Sequence, residues 1–200
     1  MKTVCIFCGS SSGRSPLYRE AAREMGLALA EHGLSLVYGG AKVGLMAVLA
    51  DTVLAHGGRV TGIMPRSLVD MEVAHQGLSE LIIVDTMHQR KQLMESMSDG
   101  FIAMPGGFGT LDEIFEMITW SQLKIHQKPC AFYNVNGYFD LLMGFLDRMV
   151  ADALVVPAYR KMIIEGDQPA SILNEMIHYN PPVVDKAEIA LGKIRDSSEA

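Results

Sequence analysis

Cysteine is scarce in this chain: three in 200 residues, Cys5, Cys8 and Cys130. An odd count at such low density excludes a disulfide-stapled scaffold. Cys5 and Cys8 have C-x-x-C spacing, but they sit in an apolar run that reads as a strand. An odd spacing turns strand side chains to opposite faces. Two buried small hydrophobes are therefore favoured over a redox or zinc pair. No His/Cys/Asp spacing resembles a metal site, and no serine, cysteine or histidine set supports a nucleophilic triad. Basic charge is also in short supply. Seventeen Lys and Arg face 23 Asp and Glu, a net charge of −6. No basic footprint offsets phosphate repulsion, so a nucleic-acid partner is not expected. No apolar run approaches membrane-spanning length, so no membrane association is expected. The apolar part of the Met1–Gly9 segment is short and runs straight into a turn. It reads as a first strand rather than a signal peptide, which makes the cytoplasm the default location. Internal repeats, low-complexity segments and linkers are absent as well.

What is present is a globular composition, 49% hydrophobic and 20% charged, long enough for one domain with a sizeable core. Fourteen methionines recur in helical patterns (Met94, Met97, Met117, Met143, Met149) and read as core filling. Apolar, β-branched runs predict strands at 3–8, 35–38, 59–64, 80–84, 100–104 and 130–134, with a shorter one near 162–164. Helical patterns occupy 16–32, 43–56, 87–98, 110–123, 138–151 and 170–178. This alternation predicts an α/β fold: a Rossmann-like open parallel sheet of about seven strands with helices on both faces. Phe101-Ile102-Ala103-Met104 is apolar at every position, as a strand covered on both sides should be. One catalytic domain is expected over 1–182. The polar tail at 183–200 reads as a loose last helix or disorder.

In an open α/β sheet, ligands bind at the carboxyl ends of the strands. Three strand ends here carry glycine turns: Gly9-Ser10-Ser11-Ser12-Gly13, Gly39-Gly40-Ala41-Lys42-Val43-Gly44, and Pro105-Gly106-Gly107-Phe108-Gly109-Thr110. The third leads directly into a helix, so its free amides form an anion site. Neither familiar nucleotide fingerprint fits. There is no G-x-x-x-x-G-K-[ST], and the third strand does not end on the acidic residue that usual NAD binding needs. Glu113 follows the anion site in the expected first helical turn. Its bland reading is a helix-start carboxylate favoured by the dipole, worth a few tenths to about 1 kcal/mol. A glutamate behind phosphate-binding amides instead suggests a phosphorylated substrate whose breaking bond lies next to a carboxylate. Met87-His88-Gln89-Arg90-Lys91 opens another helix. Arg90 and Lys91 either snorkel or face the substrate near the glycine turn. His88 reads as a structural or rim residue. Lys42 and Arg66 read as surface residues with a lesser claim on the pocket.

The stretch Pro105-Gly106-Gly107-Phe108-Gly109-Thr110-Leu111-Asp112-Glu113 resembles the P-G-G-x-G-T-x-x-E signature of the LOG ("Lonely Guy") family. Met87–Lys91, Tyr38–Met46 and Ile118–Leu123 are similar to further elements of that family, and the likeness spans about residues 2–180. The resemblance implies a hydrolase that cleaves the N-glycosidic bond of cytokinin riboside 5′-monophosphates, AMP or both, releasing free base and ribose 5-phosphate. It implies catalytic roles for Glu113 and Arg90. It places Gly106, Gly107, Phe108, Gly109, Thr110, Leu111 and Asp112 in a substrate-binding turn, and Lys91, Glu72 and Thr119 at substrate-contacting positions. No cofactor and no metal are expected, and the implied assembly is a homodimer that takes a small-molecule nucleotide. Ala41 and Ala47 stand where many members carry glycine. The family's older label, lysine decarboxylase, finds no pyridoxal-phosphate lysine context here. The alternative from another class is a non-catalytic nucleotide-binding or molybdenum-cofactor carrier protein.

Overall fold

The computed structural model describes residues 1–69 and 74–182; Glu72 and the tail at 183–200 lie outside the described residues. Seven strands form one parallel sheet: β1 (Thr3–Phe7), β2 (Ser35–Tyr38), β3 (Val60–Pro65), β4 (Glu80–Val84), β5 (Gly100–Ala103), β6 (Cys130–Tyr133) and β7 (Ile163–Gly166). Their spatial order is β4-β3-β2-β1-β5-β6-β7. The chain winds outward from β1 to β4, then crosses back to lay β5 on the other side of β1. The boundary between β1 and β5 is thus the topological switch point, where such sheets open a crevice. The register there pairs Val4 with Gly100 and Phe7 with Ala103.

Alternation along each strand divides the core into two layers. Val4, Ile6, Leu36, Tyr38 and Ile102 pack beneath α1 (Pro16–Glu31), α2 (Gly44–Ala55) and α8 (Pro169–Ile177). Cys5, Phe7, Val37, Phe101 and Phe132 face the opposite layer, with α4 (Met87–Ser96), α5 (Phe108–Gln122) and α6 (Asp140–Ala151). Cys5 and Cys8 therefore fall in opposite layers. All three cysteines are free and buried, and no group of His, Cys, Asp and Glu able to hold a metal ion occurs among the described residues. No helix among the described residues is long and apolar enough to cross a membrane.

The expected strands and long helices all form, with boundaries exact or displaced by one or two residues. Two one-turn helices, α3 (Arg66–Val69) and α7 (Pro157–Arg160), and a 3₁₀ turn at Val135–Gly137 were not legible in the sequence. One turn is too short to establish a hydrophobic period. The largest consequence is at α5, which begins at Phe108 on the extended N-cap Gly107 and not at Thr110. Glu113 consequently sits in the second turn. The dipole effect fades beyond the first turn, so the helix start does not account for this carboxylate.

Candidate active site

Backbone hydrogen bonds stitch the glycine turns together. Gly9 N–H donates to Pro105 O at 3.0 Å, and Leu45 N–H donates to Gly9 O at 3.0 Å. The turns after β1 and β5 and the start of α2 thereby meet at the switch point. Gly44 has φ +56°, and a Cβ there would overlap the Ser10 backbone, so the approach of α2 to the first turn requires glycine. Tyr138 Oη donates to Gly106 O at 2.6 Å and packs edge-on against Tyr18, with ring centroids 5.5 Å apart.

A cleft of about 390 Å³ opens above these turns. The chain rises into it from β5 through Gly107, Phe108, Gly109 and Thr110. The first helical bond of α5 runs from Leu111 N–H to Gly107 O at 3.2 Å. The amides of Phe108, Gly109 and Thr110 precede it and have no carbonyl one turn back. A Cβ on Gly107 or Gly109 would meet nothing within 4 Å, whereas one on Gly106 would collide with Thr110 Oγ1. The glycines thus divide by role: Gly106 is needed for packing, while Gly107 and Gly109 leave space open beside an anion-binding helix end.

The cleft floor carries charge. Arg90, from α4, and Glu113, from α5, both line it. Arg90 Nη2 lies 3.3 Å from Glu113 Oε1, with side chains only 7% and 12% exposed. Arg90 is aimed by a well-defined helix start. The Thr86 side chain accepts from Gln89 N–H at 3.1 Å, and Gln89 Oε1 accepts from Thr86 N–H at 3.3 Å, a reciprocal cap. Gly39 makes room for the guanidinium, because a Cβ there would overlap Arg90 Nη2. Burial, and after it the charge of Glu113, pushes the Cys8 thiol far above the ordinary cysteine range. Cys8 lines the cleft but stays protonated and unreactive. Ile6, Met46, Leu68 and Met87 supply apolar wall.

Of the residues singled out from sequence, Arg90, Glu113, Gly107, Phe108, Gly109 and Thr110 come together in this cleft. Gly106 lines an adjoining hollow with Ser11, Tyr18 and Tyr138. Four more of the implied substrate-binding residues are off the cleft wall. Leu111 packs on the core, and Thr119 Oγ1 donates to Phe115 O one turn back, at 2.7 Å. Asp112 and Lys91 are paired with each other. Lys42, Arg66 and His88 are exposed, and Arg66 lies 3.9 Å from Asp85. The sequence reading undervalued Gly39, Met46 and Leu68. Gly39 and Met46 belong to a turn already marked by its glycines, whereas Leu68 lies in the single-turn α3 and left no periodic signal. Met87, at the start of α4, is 40% exposed at the cleft.

The family model described as "possible lysine decarboxylase" matches residues 46–176. The probable cytokinin riboside 5′-monophosphate phosphoribohydrolase LOGL5 of Oryza sativa subsp. japonica is 43% identical over 190 residues, covering 95% of this chain and 77% of its own length. The cytokinin riboside 5′-monophosphate phosphoribohydrolase LOG7 of Arabidopsis thaliana is 43% identical over 181 residues, covering 90% and 83%. Among solved structures, the molybdenum cofactor binding protein of Rippkaea orientalis superposes with TM-score 0.65 at 21% identity, covering 89% of this chain and 96% of that one. The molybdenum cofactor carrier protein of Chlamydomonas reinhardtii gives 0.67 at 16%, covering 89% and 99%; at these identities the likeness is one of fold alone. Matched over most of its length by the family model and by relatives above 40% identity, this chain belongs to the LOG family.

Proposed function

We propose that this protein hydrolyses the N-glycosidic bond of a nucleoside 5′-monophosphate, a cytokinin riboside 5′-monophosphate or AMP, to free base and ribose 5-phosphate. The observation that carries the proposal is the buried Arg90–Glu113 pair, 3.3 Å apart, on the floor of a cleft rimmed by the open amides of α5. The activity named for relatives at 43% identity supports it. In this reading the amides of Phe108, Gly109 and Thr110 hold the 5′-phosphate. That remote grip sets the ribose against Glu113. The C1′–N bond breaks with its electron pair going to the base, which gains a proton, and water supplies the new oxygen on C1′. Positive charge builds on the sugar as the bond opens, and the fixed Glu113 carboxylate stabilises it. Arg90 holds that carboxylate in place and offsets negative charge on the departing side.

The assay is release of adenine from AMP, run beside isopentenyladenosine monophosphate, which also ranks the two substrate classes. Adenosine, lacking phosphate, should react poorly. A Glu113→Gln variant should fold normally and lose at least about a hundredfold in rate, the usual range for a lost electrostatic or acid–base group. Near-normal turnover by that variant rejects the assignment. Tight nucleotide binding without base release would favour the carrier reading.

A homodimer is part of the proposal. Phe108 is 94% exposed, Leu141 92%, Leu154 79% and Phe145 56%, apolar surface of the kind a second copy covers. Sedimentation at micromolar concentration should give twice the chain mass. The free, buried cysteines support a reducing, cytoplasmic setting.

A further inference from the structure

Lys91 follows Arg90 in sequence, yet the two side chains go to different places. Arg90 reaches into the cleft. Lys91 turns to α5, where its Nζ lies 2.8 Å from Glu116 Oε2 and donates to Asp112 Oδ2 at 3.2 Å. The Lys91 side chain is 11% exposed, and Glu116, at 25%, is its better shielded partner. Asp112 immediately precedes Glu113 on the helix, and Glu116 follows it by three residues. One cation from α4 therefore grips α5 on both sides of the carboxylate that Arg90 itself contacts.

The backbones of α4 and α5 each pack mainly on the sheet rather than closely on one another. Long side chains make the connection between them. Burial alone would lower the affinity of Lys91 for its proton, but Glu116 and Asp112 outweigh that and hold the ammonium above the ordinary lysine range. Its Nζ is held against α5 by two carboxylates, and none of the three residues lines the cleft.

We propose that Lys91 is a positioning residue, a charged strut between α4 and α5 that fixes the Arg90–Glu113 spacing and neutralises the carboxylates flanking Glu113, and that it does not bind the substrate. The kinetic part of the test rests on the nucleotide hydrolase reading; the structural part does not. Lys91→Met should lower kcat for AMP by roughly ten- to a hundredfold, the scale of a small misplacement of catalytic groups. KM and product inhibition by ribose 5-phosphate should stay close to wild type. Lys91→Arg, which keeps a cation between the same two carboxylates, should recover most of the rate. Lys91→Met/Glu116→Gln, which also removes the stranded charge, should fold and recover part of it. A phosphate ligand behaves otherwise: KM rises steeply, ribose 5-phosphate binds weakly, and removing Glu116 restores nothing. That pattern overturns the proposal. A crystal structure of Lys91→Met supplies the activity-independent criterion. The Arg90–Glu113 contact should open beyond ion-pair reach, and retention of the wild-type spacing overturns the proposal whatever the turnover. Failure of the wild-type protein to release base from AMP sinks only the hydrolase reading and leaves this structural criterion in force.

Discussion

Gly39→Ala separates the geometry of the site from the stability of the fold. Gly39 lines the cleft, and the first atom its Cβ would meet is Arg90 Nη2, with Met46 Sδ next at 3.3 Å. Gly39 is not among the positive-φ glycines, so alanine suits its backbone. To reach ordinary contact the guanidinium must retreat by about 1 Å. Where that retreat lengthens the 3.3 Å contact with Glu113 by the same amount, the attraction weakens by about 1 kcal/mol at an effective dielectric near 20. The misplacement of a catalytic group by about 1 Å costs up to a hundredfold in rate. The fold loses little, because the displaced atom ends a flexible side chain. Alanine also restricts the unfolded chain, a gain of about 0.4–1 kcal/mol. The expected variant melts within a few degrees of wild type and releases adenine from AMP about ten- to a hundredfold more slowly. Wild-type turnover with Arg90 shown crystallographically to have moved would refute the role given to the pair. Unfolding in place of inactivation would refute the claim that Gly39 serves the site and not the core.

Two further expectations concern stability. Gly106→Ala places a Cβ against Thr110 Oγ1, 2.8 Å from Thr110 Cβ and 2.9 Å from Gly9 N, so it should destabilise by about 1–3 kcal/mol in chemical denaturation. Gly109→Ala, into open space, should fold normally and raise KM for AMP; equal melting of the two variants would contradict the division of roles. Asp99 accepts from the backbone N–H groups of Lys2 and Thr3 at 2.6 and 3.0 Å. Burial works against its charge, but these bonds outweigh it and hold the carboxyl below the usual aspartate range. A depressed folded-state pKa means the stabilisation is complete above the unfolded value near 3.9 and is lost as pH falls through the folded value. Asp99→Asn should therefore flatten the decline in melting temperature below about pH 4, and an unchanged decline would show that Asp99 is not responsible.

The alternation of apolar runs with helical periods was enough to read the parallel sheet, because each segment repeats its signal over several residues. α3 and α7 repeat nothing, and so Leu68, on the cleft wall, escaped. The start of α5 was misread for a different reason. Gly-Phe-Gly is poor helix sequence, yet the turn before it is tied down by Tyr138 through Gly106 and by Gly9 through Pro105. Those partners are remote in sequence. Arg90 and Lys91 show the same limit on a smaller scale. Adjacent residues on a helix point about 100° apart, and the sequence does not say which of the two meets the cleft.

The sequence by itself determined the α/β class, the glycine-lined strand ends, the missing basic footprint and the family, since each is carried by local composition, period or spacing. Only the tertiary structure decided that Glu113 is held by Arg90 rather than by a helix start, that Lys91 is committed to α5, and that Gly39 is the space Arg90 occupies. These facts depend on the crossover that lays β5 beside β1 and on the side chains it brings within a few ångströms. No local pattern encodes such distances.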